Sequence, residues 1–585
     1  MASNAAVESG STLQPSEDSE SKSQLQRAQG LIPLTALGVG AVISGDFFGW
    51  NFGIERGGFG GLIIATLLVG FMYVCVSLSL AELAAMYPSA EGAFAFSRKA
   101  FGPYAGFCCG LSESLEYVLL VPVIITGLGD QLNVLFGIQN PHIQIVWWIV
   151  LCLLYLALHL SGAKPTFLSN TIITSLSVLT LVIYWCVCLS MVSGTDNDVI
   201  NDRIYNIPPD PAYSDSGKFL PKGTYGIFTS LVFAAWFFIA VEELPLAGED
   251  AIDPTKNIPR ALIGSIAILM LTAFLTAFFS VAVPGGSFNI SSAGAPLARA
   301  LISGLDDKCV NFNDPSQSAT AQAVCEQNGS GYECEFSEDE GVCLDTVLST
   351  KAQAWEVVIN LGTLIGLMTS CHAIIFAGGR QLYSLTRNGT FPSFTRFDRV
   401  RNGAPQIALA TDIVLSFVIS LIVYFIGEGV DFLVGLSVAA ACVSYILSMC
   451  SFIKLRVSHQ ELVRPYKSPL GVVGAGYAAI LSLLVGVSFF VDVGVGLGPV
   501  ILTVVLVVFV LIYVLLSIEF LRGCGKDYKS GKQRFLEYEA KMQEEESNAE
   551  KKEMTQQSDG AQDEEEPKGD VEIETQTDEQ KDFKD

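Results

Sequence analysis

Acidic residues stand inside several long apolar stretches of this sequence, and three of them are Asp46, Glu116 and Glu242. An ionisable side chain at membrane depth is energetically costly and is usually retained for function. A buried carboxylate can hold an organic cation or carry a proton, because either one removes the uncompensated charge. We therefore take these three residues as candidates for binding an ammonium group, with Asp46 as the first candidate counter-ion.

Asp46 lies in the apolar stretch 34–54, which also holds Gly38, Gly40 and Gly45. Each glycine costs a helix roughly 1 kcal/mol relative to alanine, so the cluster predicts a helix that is broken between Gly38 and Gly45. Broken backbone at membrane depth is tolerated only where protein or a water-filled cavity supplies hydrogen-bond partners. The alternative is that the glycines pack against a neighbouring helix, which does not account for Asp46.

A second interruption lies in the apolar stretch 225–245, where Glu242 and Glu243 are followed by Pro245. Proline removes a backbone donor, so we expect this helix to break between Ala240 and Pro245. The alternative is that both glutamates are solvated at the end of a shorter helix. Two interrupted spans, five apart, predict a five-plus-five inverted repeat with the substrate site between them.

Half of the 585 residues are hydrophobic and the mean hydropathy is +0.45, which favours a membrane protein over a soluble one. A membrane helix needs about 20 apolar residues. The sequence therefore predicts an all-α polytopic protein of about twelve transmembrane helices. The predicted spans are 31–54, 60–86, 103–137, 143–161, 167–193, 224–248, 260–285, 353–386, 405–426, 431–453, 471–492 and 497–520.

Lysine and arginine concentrate in alternate short connections, and this bias predicts the orientation. The connections after the even-numbered spans are basic, whereas those near residues 139, 428 and 495 carry no lysine or arginine. We expect the basic connections and both termini to be cytoplasmic, in a multi-pass protein of the plasma membrane. The basic residues include Arg98, Lys99, Lys164, Lys256, Arg260, Arg380, Arg387, Lys454, Arg456 and Arg464.

Both ends of the chain are polar and acidic, which accounts for much of the formal charge of −25. Residues 1–27 and 528–585 are predicted to be disordered, because they cannot bury enough apolar area, so that the tail 523–585 is mostly disordered. Residues 28–522 then form the transporter domain. No cleavable signal peptide is expected, since the first apolar run begins only at Leu31. The acidic ends argue against a nucleic-acid partner, and the tail is a candidate site for cytoplasmic proteins.

The predicted extracellular connection 286–352 holds four cysteines, which we expect to form two disulfides in any of three pairings. The same connection holds two Asn-x-Ser sequons for glycosylation. No zinc-ligand spacing appears, and no metal is expected. The cysteines are Cys309, Cys325, Cys334 and Cys343, and the sequon asparagines are Asn289 and Asn328.

The chain resembles the amino acid–polyamine–organocation transporter superfamily, and within it the ethanolamine permease branch, over roughly residues 30 to 470. The extracellular insertion and the acidic tail depart from the compact bacterial pattern. The resemblance implies a leucine-transporter-type fold. It rests on Gly40–Gly53, Ala81–Leu83, Phe101–Pro103, Glu116–Val118, Phe237–Glu242, Gly248–Asp250, Asp253–Arg260, His372–Phe376 and Gly379–Arg387.

Ethanolamine carries an ammonium and a hydroxyl but no carboxylate, so its site needs an anion or carbonyl ring and a hydrogen-bond partner. Aromatic faces at residues 236–238 can also attract the cation, by about 0.5–2 kcal/mol, although core packing is expected for at least one of them. The candidate substrate-binding residues are Val42, Ile43, Ser44, Gly45, Asp46, Glu116, Trp236, Phe237, Ala240 and Glu242.

Uphill transport needs a coupling ion, for which the sequence leaves two alternatives. Thr369 and Ser370 offer hydroxyls to Na⁺ beside the carbonyls of Gly38 or Gly40. A proton instead requires a titratable group such as Glu116, Glu242 or His372. No phosphate-binding loop of the Gly-x-x-x-x-Gly-Lys-Ser/Thr kind is present, which argues against ATP-driven pumping, and no cofactor is expected.

Other function classes also agree with the sequence. An amino acid permease or antiporter on the same fold would bind a carboxylate at the backbone N–H groups near Ser44 and Gly45, where Asp46 would repel it. A nutrient sensor (transceptor) would signal through the acidic tail. An enzyme is not expected, because the spans show neither a metal-ligand cluster nor a nucleophile–base constellation.

Overall fold

The structure, a computed structural model, describes residues 27–193, 195–206, 219–305, 350–387, 400–401, 403–426 and 430–492. Helices dominate these ranges, and their only bridges between extended residues are two isolated ones. Several predictions concern positions outside these ranges and are not tested. They are residues 1–26, Cys309, Cys325, Cys334, Cys343, Asn328, the span 497–520 and the tail 523–585.

Sixteen α-helices and one 3-10 helix follow one another in the described ranges. The 3-10 helix, Val241–Ala247, lies between α9 and α10. The α-helices are α1 (Leu31–Val42), α2 (Ser44–Phe47), α3 (Phe52–Met86), α4 (Gly92–Phe101), α5 (Pro103–Leu135), α6 (Ile143–Leu160), α7 (Ala163–Val192), α8 (Asn197–Tyr205), α9 (Gly223–Trp236), α10 (Pro254–Ala282), α11 (Gly286–Ser291), α12 (Pro296–Leu305), α13 (Thr350–Arg387), α14 (Gln406–Ile426), α15 (Val430–Ser458) and α16 (Gly471–Asp492).

Ten helical stretches in the described ranges are long and apolar enough to cross a membrane, and α1 is a shorter apolar helix. Most predicted spans agree with these helices within a few residues. The predicted span 143–161 corresponds to the helix Ile143–Leu160, and the predicted span 405–426 corresponds to the helix Gln406–Ile426. The prediction of an all-α polytopic membrane protein is therefore confirmed. Of the twelve predicted spans, eleven fall on these helices.

The first two spans are joined by a kink rather than by a loop. Helix α3 runs without a gap from Phe52 to Met86, but Gly58 inside it has φ 73° and ψ 170°. This backbone conformation lies in a region that glycine tolerates and other residues avoid. The residues before Gly58 complete the interrupted first span, and those after it form the second.

Three connections contain helices that the sequence analysis assigned to loops. Helix α4, in the connection after the second span, carries Arg98, which is buried and paired with Glu91 at 2.6 Å. Helix α8 lies in the connection between α7 and α9, and α11 and α12 lie within the predicted connection 286–352. Helices this short lack the long apolar pattern by which spans are found.

Close backbone contacts hold the helices together. Helix α3 meets α9 at Gly57, where a Cβ atom would lie 2.1 Å from the carbonyl oxygen of Gly226. Such small-residue contacts are typical of membrane helices. Polar links add to them: the Asn170 amide on α7 donates to the Ala36 carbonyl on α1 at 3.1 Å. The helices α1, α3, α9 and α10 thereby enclose the two interrupted segments.

Candidate functional site

The first helix is interrupted where the sequence predicted it and again just after. Gly38 and Gly40 lie inside the regular helix α1, which ends at Val42. The helix then breaks at Ile43, restarts for the four residues of α2, and gives way at Phe48 to extended backbone (φ −161°, ψ 166°). The prediction of a broken first span is confirmed: the interruption at Ile43 lies between Gly38 and Gly45, and a second one follows at residues 48–51.

Gly38 and Gly40 serve close packing instead. A Cβ atom at Gly38 would lie 2.4 Å from the Leu244 side chain, and one at Gly40 would lie 2.6 Å from the Thr174 hydroxyl. The packing alternative is therefore correct for these two glycines. The sequence could not separate the two roles, because both call for a residue without a side chain.

Ser370 of α13 spans the first break. Its hydroxyl accepts a hydrogen bond from the Ser44 N–H at 2.9 Å and donates to the Gly40 carbonyl at 2.7 Å. Thr369 lies beside it, donates to the Ile365 carbonyl and lies 3.2 Å from the Ser177 hydroxyl. The sequence analysis offered these two hydroxyls, beside Gly38 or Gly40, as the sodium-binding alternative. The structure places the Ser370 hydroxyl at the Gly40 carbonyl, whereas Thr369 turns its methyl group toward Gly40. Sodium binding stays a prediction.

The second interrupted helix breaks earlier than predicted. Helix α9 ends at Trp236, and Ala240 adopts a left-handed conformation with φ 78°. Left-handed backbone at a non-glycine residue is strained and tends to occur at functional sites. Pro245, expected to end the break, instead lies inside the 3-10 helix. The break of the sixth span is confirmed, and its position is corrected to residues 237–240.

The two breaks touch each other. A Cβ atom at Gly45 would lie only 2.4 Å from the Trp236 carbonyl oxygen. The Trp236 indole N–H donates to the Phe48 carbonyl at 2.8 Å, and the rings of Trp50 and Phe237 stack with centroids 5.5 Å apart. The structure therefore brings together the predicted residues Gly45, Trp236 and Phe237.

The aromatic residues at the second break are all buried in ring contacts. Besides the stacked Phe237, the Trp236 ring meets Phe48 edge to face at 5.9 Å. Phe238 packs against Tyr73 at 5.6 Å. Core packing thus accounts for Phe238, as the sequence analysis expected for at least one of the three. Trp236 and Phe237 line the junction of the two breaks.

Glu116 and Glu242 lie next to each other, although they come from different spans. Both side chains are buried, and Glu242 has Glu116, Tyr445 and the backbone at Ala240 as hydrogen-bonding neighbours. Glu243 is likewise fully buried, so the alternative of solvated glutamates at a helix end is wrong. The sequence analysis missed Glu113, one helical turn before Glu116, although its position in the same apolar run was a usable signal.

Asp46 is buried at a different place. It lies in α2 with the Thr272 side chain of α10 as its polar neighbour, and its Oδ1 atom has no hydrogen-bond partner within the described ranges. Its electrostatic neighbours do not include the glutamates. The three acidic candidates therefore separate into a single aspartate at the first break and a glutamate group at the second.

His372 of α13 is buried against α7. Its Nε2 atom lies 3.0 Å from the Thr166 carbonyl, and its ring lies 4.6 Å from the ring of His159, which the sequence analysis missed. The two histidines are far apart in the sequence, which carried no signal of the pair. His372 also lines a small crevice with Leu37 and Asn170.

The remaining candidate residues pack against, or hydrogen-bond with, other parts of the protein. Val42 and Ile43 are buried in the core at the first break.

Asn289, a predicted glycosylation site, lies in α11, where its amide nitrogen donates to the Ser303 hydroxyl and its oxygen accepts from Arg299 at 3.1 Å. A glycan at Asn289 would have to replace the bond to Ser303. Glycosylation of Asn289 and Asn328 stays a prediction.

A buried ion pair ties α13 to the segment after the 3-10 helix. The Arg380 guanidinium donates to both oxygens of Asp250, at 3.0 and 2.8 Å, and both side chains are almost completely buried. The Asp250 carbonyl also accepts from the N–H groups of Ala28 and Gln29, each at 2.9 Å. The chain before α1 and the chain after the second break are thus held together.

Long apolar helices around two interrupted ones, whose breaks meet beside buried carboxyl groups, define a multi-pass membrane transport protein. The family model described as "Amino acid permease" matches residues 34–536. The chain belongs to this family.

Three relatives show which proteins are similar to this chain in sequence. An uncharacterized transporter of Rhizobium meliloti is 28% identical over 47% of this chain and 56% of its own length. The branched-chain amino acid permease of Bacillus subtilis is 22% identical over 78% of this chain and 87% of its own. The lysine-specific permease of Saccharomyces cerevisiae is 23% identical over 79% and 69%. The match to the Rhizobium transporter thus spans little more than half of that protein.

Proposed function

We propose that this permease is a secondary active transporter that moves a small amine, ethanolamine, across the plasma membrane by alternating access. The observation that carries the proposal is Asp46, a buried carboxylate at the first break with one oxygen free of protein partners in the described chain. A buried carboxylate without a basic partner attracts a cation. An ammonium group supplies that charge and three hydrogen-bond donors.

The surroundings of Asp46 suit a small amine. The two breaks meet within one residue of it, at Gly45 and the Trp236 carbonyl. Interrupted helices expose backbone carbonyls that can accept from an ammonium or a hydroxyl. Trp236 and Phe237 add aromatic faces that attract the cation. Rearrangement of the two short segments would open the site alternately to each side of the membrane.

An amino acid permease is the second candidate, favoured by the names of the Bacillus and Saccharomyces relatives. Its substrate carboxylate would use the N–H groups near Ser44 and Gly45. The Ser44 N–H already donates to Ser370 at 2.9 Å, and Asp46 would repel a carboxylate. For this reason ethanolamine ranks first.

The membrane setting and the partners follow from the same proposal. Both termini are cytoplasmic, on the bias of basic residues, and the acidic tail is available to cytoplasmic proteins. Signalling without transport, as in a nutrient sensor, is distinguished from a carrier by measuring flux.

Uptake into proteoliposomes tests the proposal. Purified full-length protein is reconstituted, and uptake of labelled ethanolamine is competed with a panel of amines and amino acids. We expect saturable ethanolamine uptake, inhibited by small primary amines more strongly than by zwitterionic amino acids. Uptake of branched-chain amino acids or lysine without ethanolamine uptake would establish the second candidate, and no flux of any substrate would favour a sensor.

A further inference from the structure

Four buried glutamates form one group beside the second break. Glu113 and Glu116 lie one turn apart on α5, and Glu242 and Glu243 are adjacent in the 3-10 helix. Glu242 is the centre of the group, because it interacts electrostatically with each of the other three. We call these four residues the glutamate cluster.

No positive side chain balances the cluster in the part of the chain that the structure describes. None of the four glutamates takes part in an ion pair there. All four side chains are at least 97% buried, and the hydrogen-bonding neighbours of Glu242 are Glu116, Tyr445 and nearby backbone, none of which carries a positive charge. Four negative charges cannot be buried together without compensation, so the cluster must hold protons or another cation.

A tyrosine provides an independent pointer to a ligand. The Tyr117 hydroxyl is completely buried, has no hydrogen-bond partner in the described chain, and interacts electrostatically with all four glutamates. A buried hydroxyl without a hydrogen-bond partner destabilises the fold, so it is retained where it has something to bind. A hydroxyl is both donor and acceptor and can pass a proton between carboxyl groups.

The other titratable groups around the cluster carry no positive charge. They are phenols and thiols on α3, α5 and α15, and the hydroxyls of two of them, Tyr73 and Tyr445, lie 3.2 Å apart. Groups of three or more His, Cys, Asp or Glu arranged to hold a metal are absent from the described residues, which favours protons over a metal ion. The groups are Tyr73, Cys109, Tyr117, Cys442 and Tyr445.

We propose that the glutamate cluster, relayed by Tyr117, is the site that carries the coupling proton of this transporter, separate from the amine site at Asp46. A proton enters the cluster from one side of the membrane, binds a carboxylate and leaves to the other side, and no other bond is made or broken. This inference rests on the proposed transport function and adds Glu113, Glu243 and Tyr117 to it.

The placement of the cluster explains how the proton would be coupled to transport. Glu113 and Glu116 belong to the long helix α5, whereas Glu242 and Glu243 follow Ala240, whose backbone is left-handed. Movement of the 3-10 helix would therefore separate the two pairs of carboxyl groups. Protons bound between the pairs stabilise the closed arrangement, and their release favours the open one.

Proteoliposomes with an imposed pH gradient test the proposal. One coupled proton and a gradient of one pH unit allow about tenfold accumulation of substrate. We expect Glu113→Gln and Glu243→Gln to reduce accumulation to the equilibrium ratio, while exchange of labelled for unlabelled substrate at equal pH changes by less than about twofold. Tyr117→Phe should shift the pH at which uptake is half-maximal. The matched control is Asp412→Asn, which alters a fully buried carboxyl group on α14 and should leave accumulation unchanged.

A second measurement does not depend on accumulation. Infrared difference spectra should show a substrate-induced change in the protonated carboxyl band of the unaltered protein and of Asp412→Asn, but not of the two glutamine variants. Gradient-driven accumulation that survives in both glutamine variants would overturn the proposal. If an amino acid is transported instead of ethanolamine, the proposed substrate is wrong, and the same assays with that amino acid still decide the role of the cluster.

Discussion

The Ser44 N–H donates to the Ser370 hydroxyl at 2.9 Å across 326 positions of sequence, and the same hydroxyl donates to the Gly40 carbonyl at 2.7 Å. One side chain on α13 therefore satisfies both backbone groups that the break of the first helix releases. Unsatisfied backbone groups are particularly costly inside a membrane protein. The broken geometry of the first span consequently depends on Ser370.

We predict that Ser370→Ala destabilises the protein by about 1–3 kcal/mol, because two buried backbone groups lose their partner. Substrate affinity should fall with it, since α2 carries Asp46. Thermal unfolding and the KM of uptake are the measurements. The control is Thr369→Val, which removes the neighbouring hydroxyl but leaves the break bridged. Equal effects of the two substitutions would show that the bridge has no special role.

Gly45→Ala tests the contact between the two breaks. The added methyl group would lie 2.4 Å from the Trp236 carbonyl oxygen, so one of the short segments must move. We expect a cost of about 1–3 kcal/mol from overpacking and a loss of most transport, with protein still present in the membrane. Uptake and thermal unfolding are measured side by side. Gly476→Ala is the matched control, because a Cβ atom there has no neighbour within 4 Å; normal uptake by both variants would contradict the prediction.

The sequence correctly predicted which two spans are broken, but it predicted less well at which residues each helix is interrupted. Long apolar runs specify membrane helices directly, since each must bury its backbone polar groups within itself. Glycine is ambiguous, because Gly38 and Gly40 pack inside a regular helix while Ile43 stands at the break. Ala240 shows the converse, for its left-handed backbone carries no sequence signal.

The sequence allowed individual residues of the candidate site to be predicted, but not how these residues are placed relative to one another. Asp46, Glu116 and Glu242 were found because acidic residues are rare in apolar runs. Their division into two separate places depends on the side from which each helix presents its residues, and the sequence does not specify this. The bond between Ser44 and Ser370 likewise depends on helices that are distant in the chain.

The ion pair of Arg380 and Asp250 gives a prediction about pH. Burial raises the pKa of Asp250 from 3.8 to about 6, although the neighbouring Arg380 partly offsets the increase. Between pH 4 and 6 the folded protein therefore holds a proton that the unfolded chain has lost. Linkage then requires this group to make stability fall as the pH rises through that window.

Arg380→Gln removes the cation that lowers the pKa of Asp250, so the pKa should rise further. We expect the variant to lose up to about 3–5 kcal/mol at a pH above this raised pKa, where Asp250 would be an unpaired buried charge, and less at pH 5, where it would be protonated. Thermal unfolding across pH 4 to 8 measures the difference. The double variant Arg380→Gln/Asp250→Asn should lack this pH dependence, and its persistence there would assign the effect to other groups.

The last prediction concerns the charge at the first break. Asp46→Asn should weaken the binding of a cationic amine by about 2–4 kcal/mol, while the protein folds and reaches the membrane. The side chain is buried with Thr272 as its polar neighbour, and asparagine keeps its shape but removes the charge. An ammonium leaving water loses several kcal/mol of hydration, which a nearby anion must offset. The loss should therefore appear in substrate binding rather than in folding.

Glu116→Gln and Glu242→Gln are the comparisons for Asp46→Asn, since their carboxyl groups lie at the second break and interact with each other rather than with Asp46. If they carry the coupling proton, both variants should still exchange substrate but fail to accumulate it. Equilibrium binding of labelled ethanolamine, measured beside exchange and accumulation, separates the two roles. Unchanged affinity in Asp46→Asn together with lost binding in Glu116→Gln would move the counter-ion of the amine from α2 to α5.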